Sequence, residues 1–102
     1  MKFSRVDEAT GAVLSIEGVL DALTVPEIRP AIDDLVMARP ASVTVDLSGL
    51  RLIDSSGVGL IVSLYKRCKE HGGTVRLTGI ASQPLAIFKL LRLDRVCGIQ
   101  HP

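Results

Sequence analysis

Aromatic residues are scarce in this chain: Phe3, Tyr65 and Phe88 are the three among 102 residues, and there is no tryptophan. An excess of charge of either sign is also missing, because the formal net charge is +1. Proteins that bind single-stranded nucleic acid stack bases on aromatic rings, and those that bind duplexes present a basic stripe. The composition therefore argues against a nucleic-acid partner.

Cysteine and histidine are nearly absent, with two residues of each type. Cys68 and Cys97 are too far apart for a CxxC motif and too few for a disulfide framework, which favours two small core residues in a reducing compartment. Neither histidine has a second ligand at metal spacing. His71 precedes Gly-Gly at an expected helix end, where its charge complements the helix dipole, and His101 lies in the tail. We predict no metal and no cofactor.

Long apolar runs are missing as well. Every run is far shorter than the roughly 20 residues that span a bilayer, and Met1-Lys2-Phe3 is not followed by a signal-peptide core. The sequence thus predicts no membrane insertion and a cytoplasmic location. A hydrophobic content of 47% with 23% charged residues is typical of a globular protein. We predict one domain over residues 1–102.

Apolar periodicity predicts strands that alternate with helices. The predicted strands cover residues 2–7, 12–20, 42–47 and 74–78. The predicted helices cover residues 25–38, 55–70 and a third segment that Ser82 caps and whose core side includes Leu91. The pattern leaves open whether residues 96–99 form a last edge strand. Right-handed crossovers place consecutive helices on the same side of a sheet. We therefore predict an α/β domain with a mixed β-sheet whose helices pack mainly on one face.

The stretch LIDSSGVG at residues 52–59 joins an apolar run to an amphipathic helix. Ser and Asp suit this place because they accept hydrogen bonds from the free N–H groups of a first helical turn. A phosphate is also tolerated there, and on Ser55 it would add about −1.5 to −2 charges. Gly57 and Gly59 each weaken a helix by about 1 kcal/mol, which suggests close approach or tight packing. An ordinary capped helix is the alternative.

Five short segments occur in an order that is typical of one family: GVLD at 18–21, VDLSG at 45–49, DSSG at 54–57, GG at 72–73 and LDRV at 93–96. On these segments, the chain resembles a STAS domain of the anti-sigma factor antagonist type over about residues 13–96. The resemblance implies the STAS fold. It also implies that Ser55, directly after Asp54, is the residue that a partner kinase phosphorylates.

The same resemblance implies a partner-switching role. The unphosphorylated form would bind an anti-sigma factor that is also a serine kinase of the histidine-kinase-like ATPase type, and this would release the sigma factor. Phosphorylation would abolish binding, and a metal-dependent serine phosphatase would restore it. The implied phosphosite surroundings and docking surface are Asp21, Thr24, Asp54, Ser56, Gly57, Val58 and Gly59. For Asp21 and Thr24, simple capping of the first helix remains an equal alternative.

Two other functions compete with this prediction. An enzyme with Ser55 or Ser56 as nucleophile would need a placed base, and residues 53–57 lack the Gly-x-Ser-x-Gly elbow because Ile53 stands first. We therefore predict that the chain has no catalytic residues and is not an enzyme. A STAS subunit of an ABC-type or anion transporter, whose serine is never phosphorylated, remains open.

Overall fold

The computed structural model describes residues 1–97 and 99, which form a five-stranded sheet and four helices. In chain order the elements are β1 (Lys2–Glu8), β2 (Gly11–Leu20), α1 (Val25–Met37), β3 (Ser42–Asp46), β4 (Leu50–Ile53), α2 (Ser55–Glu70), β5 (Thr74–Thr78), α3 (Ser82–Leu90) and α4 (Leu93–Val96). The predicted alternation of strands and helices is confirmed.

The sheet is mixed, as predicted. β1 pairs antiparallel with β2, β2 pairs parallel with β3, and β3 pairs parallel with β5, which gives the order β1-β2-β3-β5. The last residues of β2 pair in parallel with β4. The predicted element order lacked β4 as a strand of its own. A turn separates it from β3, because the Asp46 carboxylate accepts from the Ser48 N–H at 3.0 Å and Leu47 O accepts from the Leu50 N–H at 3.1 Å.

One apolar core lies against a single face of the sheet. In β2, buried residues alternate with more exposed ones, and β3 and β5 show the same pattern, as expected for strands with one covered face. The buried stripe of α1 follows helical spacing: Val25, Ile28, Ile32, Leu35 and Val36. Together these residues form one hydrophobic cluster. The predicted fold class is confirmed.

Helix α2 is more deeply buried than its sequence predicted. Besides the expected Val58, Ile61 and Cys68, the structure buries Leu60 and Leu64. The reason is that α2 contacts α1 as well as strands β4 and β5, so that more than one side of the helix is covered.

The chain after β5 differs from the prediction. Ala81, and not Ser82, is the N-cap of α3, while Ser82 is the first helical residue with φ +54°. Leu91 is 53% exposed and lies outside the core. Arg92 adopts a left-handed conformation with φ +58°, which ends α3 and starts a new turn.

The turn that starts at Arg92 lies where the sequence left open an edge strand at 96–99. Val96 belongs to α4, and the Cys97 N–H donates to Leu93 O at 2.8 Å, so the segment forms local rather than strand hydrogen bonds. Ile99 is in no strand. Gly98 of that predicted strand and His101 lie outside the described residues.

Both cysteines are buried free thiols. Burial raises the pKa of Cys97 and of Cys68, although the charge of Arg67 acts in the opposite direction on Cys68. Among residues 1–97 and 99, no helix is long and apolar enough to cross a membrane. Within the same residues, no three His, Cys, Asp or Glu side chains are grouped as a metal site would require.

Candidate functional site

Asp54 connects the start of α2 to the end of β2 and to the loop that follows β2. It is the N-cap of the helix in extended conformation, and its Oδ1 accepts from the Gly57 N–H at 3.0 Å. Its Oδ2 accepts from the Ala22 N–H at 3.1 Å, and its own N–H donates to Leu20 O at 3.2 Å. One carboxylate therefore caps α2 and also ties it to the loop between β2 and α1.

Asp21 and Thr24 shape that loop. The Asp21 Oδ1 accepts from the N–H groups of Leu23 and Thr24, both at 3.0 Å. The Thr24 hydroxyl accepts from the Asp21 N–H at 2.9 Å and donates to Val19 O at 3.0 Å. Thr24 is the N-cap residue of α1 but makes no side-chain capping bond. These bonds hold the loop beside Asp54, and a direct role of the two residues in docking remains a prediction.

Ser55 and Ser56 are the first two residues of α2. Ser55 is exposed, whereas Ser56 is half-buried. Because Asp54 supplies the cap, the Ser55 hydroxyl is free of that task. It lies at the positive end of the helix dipole, where an added negative charge is stabilised. Of the two hydroxyls, Ser55 is thus the one that an approaching enzyme reaches more easily.

The two glycines of the junction have different surroundings. Gly57 is buried, and a Cβ there would lie 2.6 Å from Leu20 O and 2.7 Å from Ile53 Cγ1. Gly59 is exposed, and a Cβ there would meet no atom within 4 Å. Val58, between them, is buried. Gly57 therefore lets α2 pack against the ends of β2 and β4, while Gly59 leaves open surface.

An apolar groove of about 520 Å³ runs beside Ser55, between α2 and the α3–α4 segment. We call it the α2–α3 groove. Besides Asp54 and Ser55, its lining is apolar: Ile53, Val58, Gly59, Val62, Ile87, Leu90, Leu91 and Leu93. Leu90 is 76% exposed. The sequence did not predict this groove, although the leucines at 90, 91 and 93 are more than one buried helical stripe requires.

Gln83 fixes the position of α3 next to this site. Its Nε2 donates to Ile53 O and its Oε1 accepts from the Ile53 N–H, both at 2.9 Å. The side-chain amide thus makes the two hydrogen bonds with Ile53 that the backbone of a neighbouring strand would otherwise make. No sequence signal pointed to Gln83, because a glutamine in a first helical turn is usually solvated.

We expect Asp54→Ala to lower the free energy of unfolding by about 1 to 2 kcal/mol, since the change removes a helix cap. The bond to the loop is lost as well. Urea unfolding followed by circular dichroism measures the loss. Asp34→Ala, at an exposed position of α1, is the matched control and should change stability by less than about 0.5 kcal/mol. Equal stability of both variants would contradict the bridging role of Asp54.

The sequence matches a family described as "Mlab, STAS domain" over residues 4–100. An anti-sigma-B factor antagonist from Listeria monocytogenes is 22% identical over 86 residues, which cover 84% of this chain and 75% of that protein.

Solved structures show the same fold. An anti-sigma factor antagonist from Mycobacterium paratuberculosis superimposes with a TM-score of 0.89 at 21% identity, over 99% of this chain and 86% of the other. The phosphorylated form of SpoIIAA from Bacillus gives 0.77 at 21% identity, over 97% and 89%. A sulfate transporter family protein from Wolinella succinogenes gives 0.76 at 14% identity, over 94% and 81%.

Proposed function

The chain belongs to the STAS domain family, and from that membership we propose that it is an anti-sigma factor antagonist switched by phosphorylation of Ser55. The Listeria monocytogenes relative is named an anti-sigma-B factor antagonist, which supports the antagonist part of the proposal. The observation that carries the proposal is the place of Ser55. It is an exposed hydroxyl at the N-terminus of α2 and lines an apolar groove large enough to receive part of another protein.

In the proposed mechanism, the unphosphorylated surface around Ser55 contacts the anti-sigma factor. A phosphate on Ser55 places about −1.5 to −2 charges beside the apolar lining. Burying that charge against a partner without a cation costs several kcal/mol, and each 1.4 kcal/mol is a factor of ten in affinity. The partner is therefore released.

The phosphate is expected to leave the fold intact. Asp54, not Ser55, caps α2, and the helix dipole stabilises an anion at the first turn. The similarity to SpoIIAA in its phosphorylated form is consistent with this expectation.

The proposed partners are an anti-sigma factor that is a serine kinase of the histidine-kinase-like ATPase type and a metal-dependent serine phosphatase. The kinase supplies ATP and its metal ion, and this chain supplies the accepting hydroxyl. In this proposal the chain is a regulated binding protein and not an enzyme. Asp21, Thr24 and Gly59 would belong to the docking surface, and buried Gly57 and Val58 would support it.

Incubation with the proposed partner, a histidine-kinase-like ATPase, in the presence of ATP is expected to add one phosphate. Intact-mass spectrometry should show it in the parent and in Ser56→Ala, but not in Ser55→Ala. Because Ser56 is half-buried, it is the matched control. Phosphate that maps to Ser56 alone would contradict the assignment.

A non-phosphorylated STAS subunit of an ABC-type or anion transporter is the second candidate. The structural similarity to the Wolinella succinogenes sulfate transporter family protein favours it. Copurification separates the two candidates, since a transport ATPase or an anion permease in the complex supports the transporter role.

A further inference from the structure

Strand β1 forms an open edge of the sheet. It pairs with β2 on one side, it has no strand on the other, and all seven of its residues are exposed. Among the described elements, it makes extensive contact with β2 alone. Backbone N–H and C=O groups on the outer side of β1 therefore point away from the sheet, where a further strand can pair with them.

β1 lacks two features that usually prevent such pairing. It contains no proline, and its register with β2 runs without a bulge from Lys2 to Glu8. Its two apolar side chains are in water, since Phe3 is 40% and Val6 is 56% exposed. Its charges are balanced, with two basic and two acidic residues. A run of like charge would repel a second copy of β1, whereas mixed charge can complement itself.

The order of these charges selects one register for two antiparallel copies of β1. Opposite residues of an antiparallel pair lie on the same face, so the two-fold axis passes beside one residue of each copy. An axis at Arg5 or at Asp7 places like charges directly opposite each other, which is destabilising. An axis at Ser4 brings neither acidic residue opposite a basic one. An axis at Val6 brings Arg5 opposite Asp7 of the second copy, and does so twice.

The register centred on Val6 extends an ion pair that one chain already contains. Arg5 Nε lies 2.8 Å from Asp7 Oδ1 on the same face of β1. In the pair of strands, each Arg5 would also face Asp7 of the second copy, so that two cations and two anions alternate. An isolated surface ion pair contributes little to stability, whereas a network of several charges contributes more. The two exposed Val6 side chains would cover each other on the opposite face.

We propose that β1 pairs antiparallel with β1 of a second copy of this chain, in the register centred on Val6, and that a two-fold symmetric dimer with one continuous sheet is formed. The contact is isologous and uses both open edges, so the assembly ends at two copies. Two short strands make a small interface. We therefore expect a weak, reversible dimer that forms as the protein concentration rises.

The dimer contact lies away from the Ser55 site. The paired segment Ser4–Glu8 is hydrogen-bonded to Gly11–Ser15 of β2. Ser55 follows β4, which pairs with the other end of β2, at Gly18–Leu20. The inference thus goes beyond the proposed function and does not depend on phosphorylation.

Sedimentation equilibrium of the full chain, with its purification tag at the C-terminus, tests the dimer. The apparent mass should rise with concentration from 10.9 kDa towards twice that value. Arg5→Asp and Asp7→Arg each place like charges opposite each other, so each should raise the dissociation constant of the dimer about tenfold or more. The matched control is Arg76→Glu, at an exposed position of the other edge strand, β5, and it should dimerise as the parent does.

An equimolar mixture of the Arg5→Asp and Asp7→Arg chains should form a heterodimer. In this mixture both acidic positions of one variant face basic positions of the other, so the dissociation constant should return to within about threefold of the parental value. Each variant should keep the thermal unfolding midpoint of the parent, because both changes are at exposed positions. Recovery in the mixture therefore cannot result from a change in folding.

Val6→Cys tests the register independently. In the proposed dimer the two Cβ atoms at this position lie about 4.5 to 5.5 Å apart, close to the distance that a disulfide spans. The two Ser4 positions would be about 13 Å apart along the strands. Oxidation with copper phenanthroline should therefore crosslink Val6→Cys about tenfold faster than Ser4→Cys. The parent should not crosslink, since Cys68 and Cys97 are buried.

A monomer at every concentration would overturn the proposal. So would a dimer that neither charge variant weakens, a mixture that does not recover, or faster crosslinking of Ser4→Cys. None of these measurements uses phosphate or the anti-sigma factor, so their outcome is distinct from that of the Ser55 phosphorylation assay.

Discussion

The Ser55→Asp variant is expected to bind the anti-sigma factor about 100-fold more weakly than the parent, a loss of about 3 kcal/mol. The new carboxylate would lie beside the apolar lining of the α2–α3 groove, where burying a charge against the partner without a cation is costly. Isothermal titration calorimetry with the purified anti-sigma factor measures the difference. The urea midpoint should remain at the parental value, because an acidic residue in the first turn of a helix is favourable.

Ser55→Asn is the matched control, since it has nearly the size of Asp and no charge. We expect it to keep binding within about threefold of the parent, a difference of less than 1 kcal/mol. If the Asn and Asp variants weaken binding equally, the loss of affinity is caused by side-chain size and not by charge, and the proposed switch mechanism is wrong. Unfolding of the Asp variant would assign Ser55 a structural role instead.

Gly57→Ala is expected to lower the free energy of unfolding by about 1 to 3 kcal/mol, the usual cost of overpacking. The added methyl group would lie 2.6 Å from the carbonyl oxygen of Leu20 and 2.7 Å from Ile53, and a backbone oxygen cannot move aside cheaply. The start of α2 would have to shift away from β2 and β4. Chemical denaturation with a fitted m-value gives the change in stability.

Gly59→Ala, two residues away in the same helix, is expected to raise the free energy of unfolding. Its Cβ meets no atom within 4 Å, so the substitution gains helix propensity of about 0.8 to 1 kcal/mol without a clash. Because the two substitutions are chemically identical, their difference isolates the packing of Gly57. Destabilisation by both, or by neither, would contradict the described packing of α2.

The sequence predicted those parts of the site that depend on neighbouring residues. Asp54 and Ser55 stand between an apolar run and a helical pattern, so a cap and an exposed hydroxyl could be expected at the junction. The mixed sheet with its helices mainly on one face followed from the alternation of strands and helices. The division between β3 and β4 escaped notice, because it depends on the short turn that begins at Asp46.

Features that depend on distant residues could not be found in this way. Gln83 contacts Ile53 across 30 positions of sequence, and nothing in the local pattern marks that pair. Leu91 has the spacing of a core residue, yet the left-handed turn at Arg92 ends the helix and leaves Leu91 at the groove surface. The different surroundings of Gly57 and Gly59 likewise depend on how α2 lies over the sheet.

The amide of Gln83 has a consequence for self-association. An unpaired strand end is a template onto which a foreign chain can add by backbone pairing, the step that begins many aggregates. At Ile53 both backbone groups are already occupied by this one side chain, so an invading peptide would have to displace it first. Replacing Gln83 by leucine would expose that template one residue before Asp54, and precipitation during storage would be its visible sign.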